Sequence, residues 1–311
     1  MPAMTSAGTI PVALFAHARP EHLERTLRSL EANRVPRIYA FSDGPRDRAS
    51  AGAVGGVREL LRSVRWCELT LIEREENLGL GRSILAGIDQ VLGEHDRAIV
   101  FEDDLVCAPG TYRYLCAALE RYRDDPRVAS VSAWNHPRLT PGDAGDRPYF
   151  SGRGEIWGWG TWSRAWRHME RGAAELLAEC RRRGVDPYRY GADLPVYAEI
   201  ESDRNIWAVR FNLSQMLEGG LSLCPPWSMV ENIGFDASAT NTAEDSGWSV
   251  GALREAPSIP DSWPEPIEHP EAAALCRMTY GEKPGLITRW SGRTRRSLGR
   301  LARSAGILPA R

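Results

Sequence analysis

The chain has six cysteines (Cys67, Cys107, Cys116, Cys180, Cys224, Cys276) but no C-x-x-C pair and no metal-ligand spacing. A zinc module is thereby excluded, and the cysteines read as reduced thiols of an intracellular protein. The first residues, Met-Pro-Ala-Met-Thr-Ser-Ala-Gly, have no basic n-region, so no signal peptide is expected. No apolar run approaches the ~20 residues of a spanning helix. Charge is nearly balanced, 39 basic against 41 acidic residues, which argues against a nucleic-acid binder held by an overall positive field. Dinucleotide fingerprint, P-loop and internal repeat are all missing. What remains is a cytoplasmic-type chain of 311 residues, long enough for one large domain or two modest ones.

Tryptophan, by contrast, is abundant. Seven of the 11 fall between Trp134 and Trp227, and such aromatic clusters serve cores or stack on sugar rings. Before them, strand and helix alternate. Strands are expected at 11–16, 37–42, 69–72, 98–101 and 128–133. Helices are expected from Pro20 (with Leu23, Leu27 and Leu30 on one face), at 54–64, at 82–92 and at 109–122. This pattern predicts a mostly parallel central α/β sheet with right-handed crossovers. From residue 135 the alternation stops. Helices are expected at 162–183 and 203–217, with a proline-rich loop at 255–270. The organisation reads as a loose, disordered tail (1–9), a ligand-binding half (10–135), a Trp/Gly-rich half (136–255) and a C-terminal extension (256–311). Residues 284–311 carry seven arginines and no acid. They read as a basic amphipathic segment for peripheral contact with anionic lipid, or as a helix with a solvated face or a frayed tail.

The centre of the pattern is Ala98-Ile99-Val100-Phe101-Glu102-Asp103-Asp104-Leu105. A buried strand runs straight into three carboxylates, a costly arrangement unless something positive neutralises it. Parallel sheets bind ligands at this strand edge. A divalent cation, Mn²⁺ or Mg²⁺, carrying a phosphorylated ligand meets both conditions, whereas a solvated turn is the bland alternative. Three loops at strand ends, the acidic one among them, converge on the same edge. Asp43 is placed to accept from a nucleobase N–H, or is a turn aspartate. Asn77 with Gly79 and Gly81 lets backbone approach a phosphate. Arg82, at a helix start, pairs with a diphosphate or faces solvent.

Ile99 to Leu105, then Ala108-Pro109, then Val131-Ser132-Ala133-Trp134-Asn135, together resemble the core of the GT-A fold glycosyltransferases. Within that fold they resemble N-acetylglucosaminyltransferase I and bacterial family-two-like sugar transferases. The triplet alone is unspecific; the triplet with the later Ser-Ala-Trp-Asn is specific. The resemblance covers 10–135 and continues loosely through Gly158-Trp159-Gly160-Thr161-Trp162 to about 240. It implies a UDP-sugar donor, with an N-acetylhexosamine as the suggested sugar. Asp104 would ligate the metal, Glu102 and Asp103 would lie against ribose, sugar or the metal's water shell, and Asp43 would read uracil. Inversion needs a base for the acceptor hydroxyl. The resemblance points to Asp203, with Glu201 open and Glu155 a weaker third; helix capping is the alternative for Asp203. Trp157, Trp159 and Trp162, with Trp134, are candidates for an apolar wall against sugar or acceptor, or for core. Near Glu231 to Asp236 relatives often carry a histidine a few residues on; here Ala239-Thr240-Asn241-Thr242 stands instead.

The acceptor would be a glycan, glycolipid or other hydroxyl compound of polysaccharide biosynthesis, with no nucleic acid as partner. Other activities remain open on the same sheet. A sugar nucleotidyltransferase wants a Gly-rich basic loop after the first strand, where this chain has His17-Ala18-Arg19-Pro20. A nucleotide-sugar-binding or degenerate protein would keep the acids and lack a working base.

Overall fold

The computed structural model describes residues 9–167, 169–204, 206–235 and 253–281, with backbone only at 200–204. In chain order the first half runs β1 (Val12–Ala16), α1 (Pro20–Ala32), β2 (Arg37–Ser42), α2 (Ala51–Ser63), β3 (Glu68–Glu73), α3 (Leu80–Glu94), β4 (Arg97–Glu102), β5 (Leu105–Cys107), α4 (Thr111–Arg121) and β6 (Val128–Ser132). There follow β7 (Tyr149–Ser151), β8 (Trp159–Trp162), α5 (Ala173–Arg182), α6 (Asp193–Arg204), α7 (Trp207–Leu217), β9 (Leu221–Cys224), β10 (Val230–Asn232) and α8 (Ala272–Tyr280).

Eight strands form one sheet in the order β3-β2-β1-β4-β8-β6-β9-β7, and β5 pairs with β10 in a separate ribbon. The chain moves outward from β1 to β3 and returns to β4 on β1's other flank. That reversal makes a crevice at the carboxyl ends of β1 and β4, the place where open α/β sheets take ligands. β1 is parallel to both neighbours, with Leu14 beside Ala40 and Phe101, and Phe15 beside Glu102.

Period-two alternation divides the core between the two faces of the sheet. Val12, Leu14, Ile38, Ala40, Ile99 and Phe101 face the apolar stripes of α1, α2 and α4. Ala13, Phe15, Phe41, Ala98 and Val100 face α3 through Ile84, Ile88 and Val91, with Trp159, Trp207 and Phe211 alongside. Both faces are covered, which is why these strands read as unbroken apolar runs. Gly87 is where α3 lies closest: a Cβ there would collide with the Phe15 ring.

The second half departs from the sequence expectation. Residues 162–183 are not one helix. Trp162 ends β8, and α5 starts only at Ala173. β8 lies antiparallel between β4 and β6, with Trp159 opposite Val100 and Ser132. Pairing across that sequence distance leaves no local periodic signal. The sheet is therefore mixed, and residues on both sides of position 135 share it. The helix expected at 203–217 is two helices, and Asp203 falls in the last turn of α6 rather than at an N-cap. α7 is buried on nearly every side. Its Asn212 Oδ1 accepts the Gly154 N–H at 2.9 Å, and Gln215 Nε2 donates to Gly152 O at 3.0 Å. The proline-rich stretch to residue 270 is loop apart from one bridge between Glu268 and Phe150. Among the described residues no helix is long and apolar enough to cross a membrane. The tail 1–8 and the basic stretch 284–311 lie outside the described residues.

Gly87→Ala is expected to destabilise the fold by about 1–3 kcal/mol, as overpacking does. The check is the denaturant midpoint; an unchanged value would mean that α3 moves freely off the sheet.

Candidate active site

β4 delivers its acids to the β1/β4 crevice because the strand is buried up to Phe101 and the chain turns immediately afterwards into β5. Glu102, Asp103 and Asp104 are each half-buried. Asp103 is tied to the β1 end: its Oδ2 accepts the His17 N–H at 3.0 Å, and its carbonyl accepts the Thr26 hydroxyl of α1 at 2.8 Å. Asp104 Oδ2 takes a charged hydrogen bond from Arg19 Nη1 at 3.0 Å. Its Oδ1 is buried with no hydrogen-bond partner among the described residues. The β10 end closes over this pair, since Ile233 N–H donates to the Asp104 carbonyl at 2.9 Å. Gly234 lies so close that a Cβ would collide with Asp104 Oδ2. A larger residue there would have to displace the Asp104 carboxylate and its Arg19 partner.

Removal from water raises all three carboxyls, and repulsion from neighbouring acids adds to it at Glu102 and Asp103. Glu102 is pushed up to about 8 by burial and by Asp104 and Asp103, and Asp103 to about 7 by burial and by Asp104. Asp104 is raised by burial, against the opposing pull of Arg19 and His22. Arg19 pairs directly with Asp104. The surplus of carboxylate oxygens, with one buried oxygen aimed at no donor, fits a hard divalent cation such as Mg²⁺ or Mn²⁺.

Around the acids the other strand ends converge. Asp43 follows β2 and is buried. Its Oδ2 accepts the Gly79 N–H at 3.1 Å, while Oδ1 lies 3.5 Å from the Arg74 guanidinium and accepts no hydrogen bond. Asn77 donates through Nδ2 to Gly44 O at 2.8 Å and meets His17 Nε2 at 3.0 Å. Its amide is thus spent on lacing the β1, β2 and β3 loops together. Arg82 is exposed in the first turn of α3.

The aromatic wall contracts to one member. Trp157 is half-buried, its ring 4.7 Å from Trp134 and 5.6 Å from Phe235. Trp134 is buried behind it. Trp159 is fully buried against Phe211, Trp207 and Trp166, and Trp162 is buried with its indole N–H on Leu119 O at 3.2 Å. Trp134, Trp159 and Trp162 are thus buried in the core, and α7 packs Trp207 and Phe211 on Trp159. Glu155 is also sealed. The Tyr280 hydroxyl donates to it at 2.8 Å, and Arg153, which pairs with Asp193 at 2.8 Å, lies 3.6 Å away. Glu155 is buried among these partners. The side chains of Glu201 and Asp203, and residues 239–242, lie outside the described set.

His17, Arg19, Arg74 and Gly234 were not singled out from the sequence. The signal for the first two was their position right after the first strand, at the sheet's reversal. Apart from this site, Asp143, His269 and Glu271 near the β7 edge bring three potential ligand atoms within 4.8 Å of one another.

Fold and site together define the class: a GT-A fold of the nucleotide-diphospho-sugar transferases. The sequence model of glycosyl transferase family 2 matches residues 12–166. A solved mannosyltransferase, PcManGT from Pyrobaculum calidifontis in complex with GDP-Man and Mn²⁺, is similar at 14% identity and a TM-score of 0.39; the match covers 67% of this chain and 73% of that one. No curated protein matches the sequence.

The raised carboxyls set a pH dependence. Between about pH 4, where these acids ionise in the unfolded chain, and about pH 8, the folded state binds more protons, so stability falls as pH rises. The metal-free protein is expected to lose a few degrees of melting temperature from pH 5 to pH 8. Asp103→Asn should flatten that slope. An equal slope in the variant would show that the acids are not the source.

Proposed function

We propose that the chain transfers a sugar from a nucleotide-diphosphate donor to a hydroxyl acceptor, with inversion. The donor is UDP-linked, an N-acetylhexosamine being the sugar. The acceptor is a glycan or glycolipid intermediate of polysaccharide biosynthesis, met in the cytoplasm at the inner face of a membrane, with 284–311 as the lipid contact. One observation carries the donor reading: three crowded carboxylates at the β1/β4 crevice, with Asp104 Oδ1 buried and accepting no hydrogen bond.

When bound there, Mn²⁺ or Mg²⁺ supplies Lewis-acid neutralisation of the charge that builds on the leaving diphosphate. Asp104 holds the cation, and Glu102 and Asp103 order its water shell and the ribose and sugar hydroxyls. Asp43 Oδ1 accepts the uracil N–H. Asn77 positions the loops that face the nucleotide, and Arg82 reaches the diphosphate from the first turn of α3. Trp157 offers an apolar face to the acceptor ring. Asp203, in the last turn of α6, takes the proton from the acceptor hydroxyl as the new bond forms; Glu201 is the alternative base.

A thermal-shift panel of UDP-, GDP- and other nucleotide sugars, each with and without Mn²⁺, tests the donor. Stabilisation by a UDP-sugar only when metal is present is expected, by mass-action linkage. Stabilisation by another nucleotide series alone would overturn the UDP assignment. Asp104→Ala should abolish the metal-dependent shift. Asp203→Asn should keep the shift and lower turnover by about 10²-fold or more, the usual weight of a general base. Undiminished turnover in that variant would remove Asp203 as the base.

A further inference from the structure

Arg19 has no part in the reading above, yet its placement is the most constrained of any cation near the acids. Its carbonyl accepts the Leu23 N–H at 3.0 Å, starting α1, and Pro20 fixes the backbone that follows. Its guanidinium meets Asp104 Oδ2 at 3.0 Å, with the two side chains only 16% and 17% exposed. A Cβ on Gly234 would come within 2.8 Å of the same Nη1, so the β10 end presses on the pair from above. Asp104 therefore has one oxygen committed to arginine and the other, Oδ1, buried without a hydrogen-bond partner among the described residues.

Resting on the reading that Asp104 takes the divalent cation of a nucleotide-diphosphate donor, we propose that Arg19 is a counter-ion that makes cation binding conditional on the nucleotide diphosphate. In the donor-free protein its charge stabilises Asp104 and disfavours a second cation on the same carboxylate, because like charges sharing one partially desolvated partner repel. A diphosphate brings several negative charges to the same place. It relieves that repulsion, and it offers the planar fork of Arg19 a bidentate partner. Cation and nucleotide then favour each other, and such coupling is reciprocal. The benefit is order: the acids do not capture a metal in the absence of donor, and Asp104 is not left as a bare buried charge. Lysine would keep the charge without the fork.

Isothermal titration with MnCl₂ alone, then with UDP or GDP at fixed Mn²⁺, tests this on wild type, Arg19→Gln and Arg19→Lys. In Arg19→Gln, Mn²⁺ alone is expected to bind about tenfold more tightly, and the nucleotide at fixed Mn²⁺ about tenfold more weakly, a shift of opposite sign in the two titrations. Arg19→Lys should match wild type for Mn²⁺ alone and lose part of the nucleotide affinity. Should Arg19→Gln lack a folded baseline without metal, its thermal midpoint must rise more with Mn²⁺ than that of wild type. Affinities equal to wild type in Arg19→Gln, or moving in the same direction, overturn the proposal and leave the donor site standing. Absence of any Mn²⁺-dependent nucleotide binding in wild type would instead bring down the donor reading, and this inference with it.

Discussion

Crowding of like charge at the tip of a buried strand is the constraint on which the rest of this molecule turns. Three carboxylates leave β4 where its neighbours already exclude water; burial opposes the ionised state of each, and repulsion adds to it at Glu102 and Asp103. Each surrounding feature answers that problem. The parallel partner β1 ends in a backbone N–H aimed at Asp103. α1 contributes a hydroxyl to the Asp103 carbonyl and, from its entry, the Arg19 guanidinium to Asp104. The β10 end supplies a glycine, where a Cβ would run into the Asp104 carboxylate. The remaining charge is a standing demand for a cation. A divalent metal with a diphosphate satisfies it, and the same arrangement suits a nucleotide-sugar transferase.

The second half serves this edge by fixing what faces it. β8 enters the sheet between β4 and β6, so the aromatic-glycine segment that follows β7 is held by the same strand that carries the acids. Residues 152–154 are gripped by Asn212 and Gln215 of α7. The buried set of Arg153, Asp193, Glu155 and Tyr280 joins that segment to the start of α6 and the end of α8. Arg153 also stacks over the Tyr280 ring, 3.4 Å from its centroid. Charges taken from water need partners, and Arg153 finds Asp193 and the Tyr190 carbonyl while Glu155 accepts from Tyr280. The consequence is selective exposure: Trp159, Trp162 and Trp134 are consumed by the core, and Trp157 alone of the four is left half-open.

Sequence by itself determined the strand–helix alternation to residue 134, the buried β4 and the three acids at its end. Those properties follow from local apolar runs and from charges adjacent in the chain, which need no distant partner to be recognised. Asp43 was legible as a residue at a strand end for the same reason. Only the tertiary structure decided the rest. β8, the division of α6 from α7 and the sealing of Glu155 depend on contacts made across long stretches of chain. Such contacts leave no periodic trace: α7, buried on nearly all sides, shows no amphipathic stripe, and a Trp/Gly segment reads equally as pocket or core. Arg19 shows the limit most plainly. In the sequence it is one arginine before a proline. It becomes the partner of Asp104 because the sheet reverses between β1 and β4 and brings two strand ends, 85 residues apart in the chain, within hydrogen-bond reach.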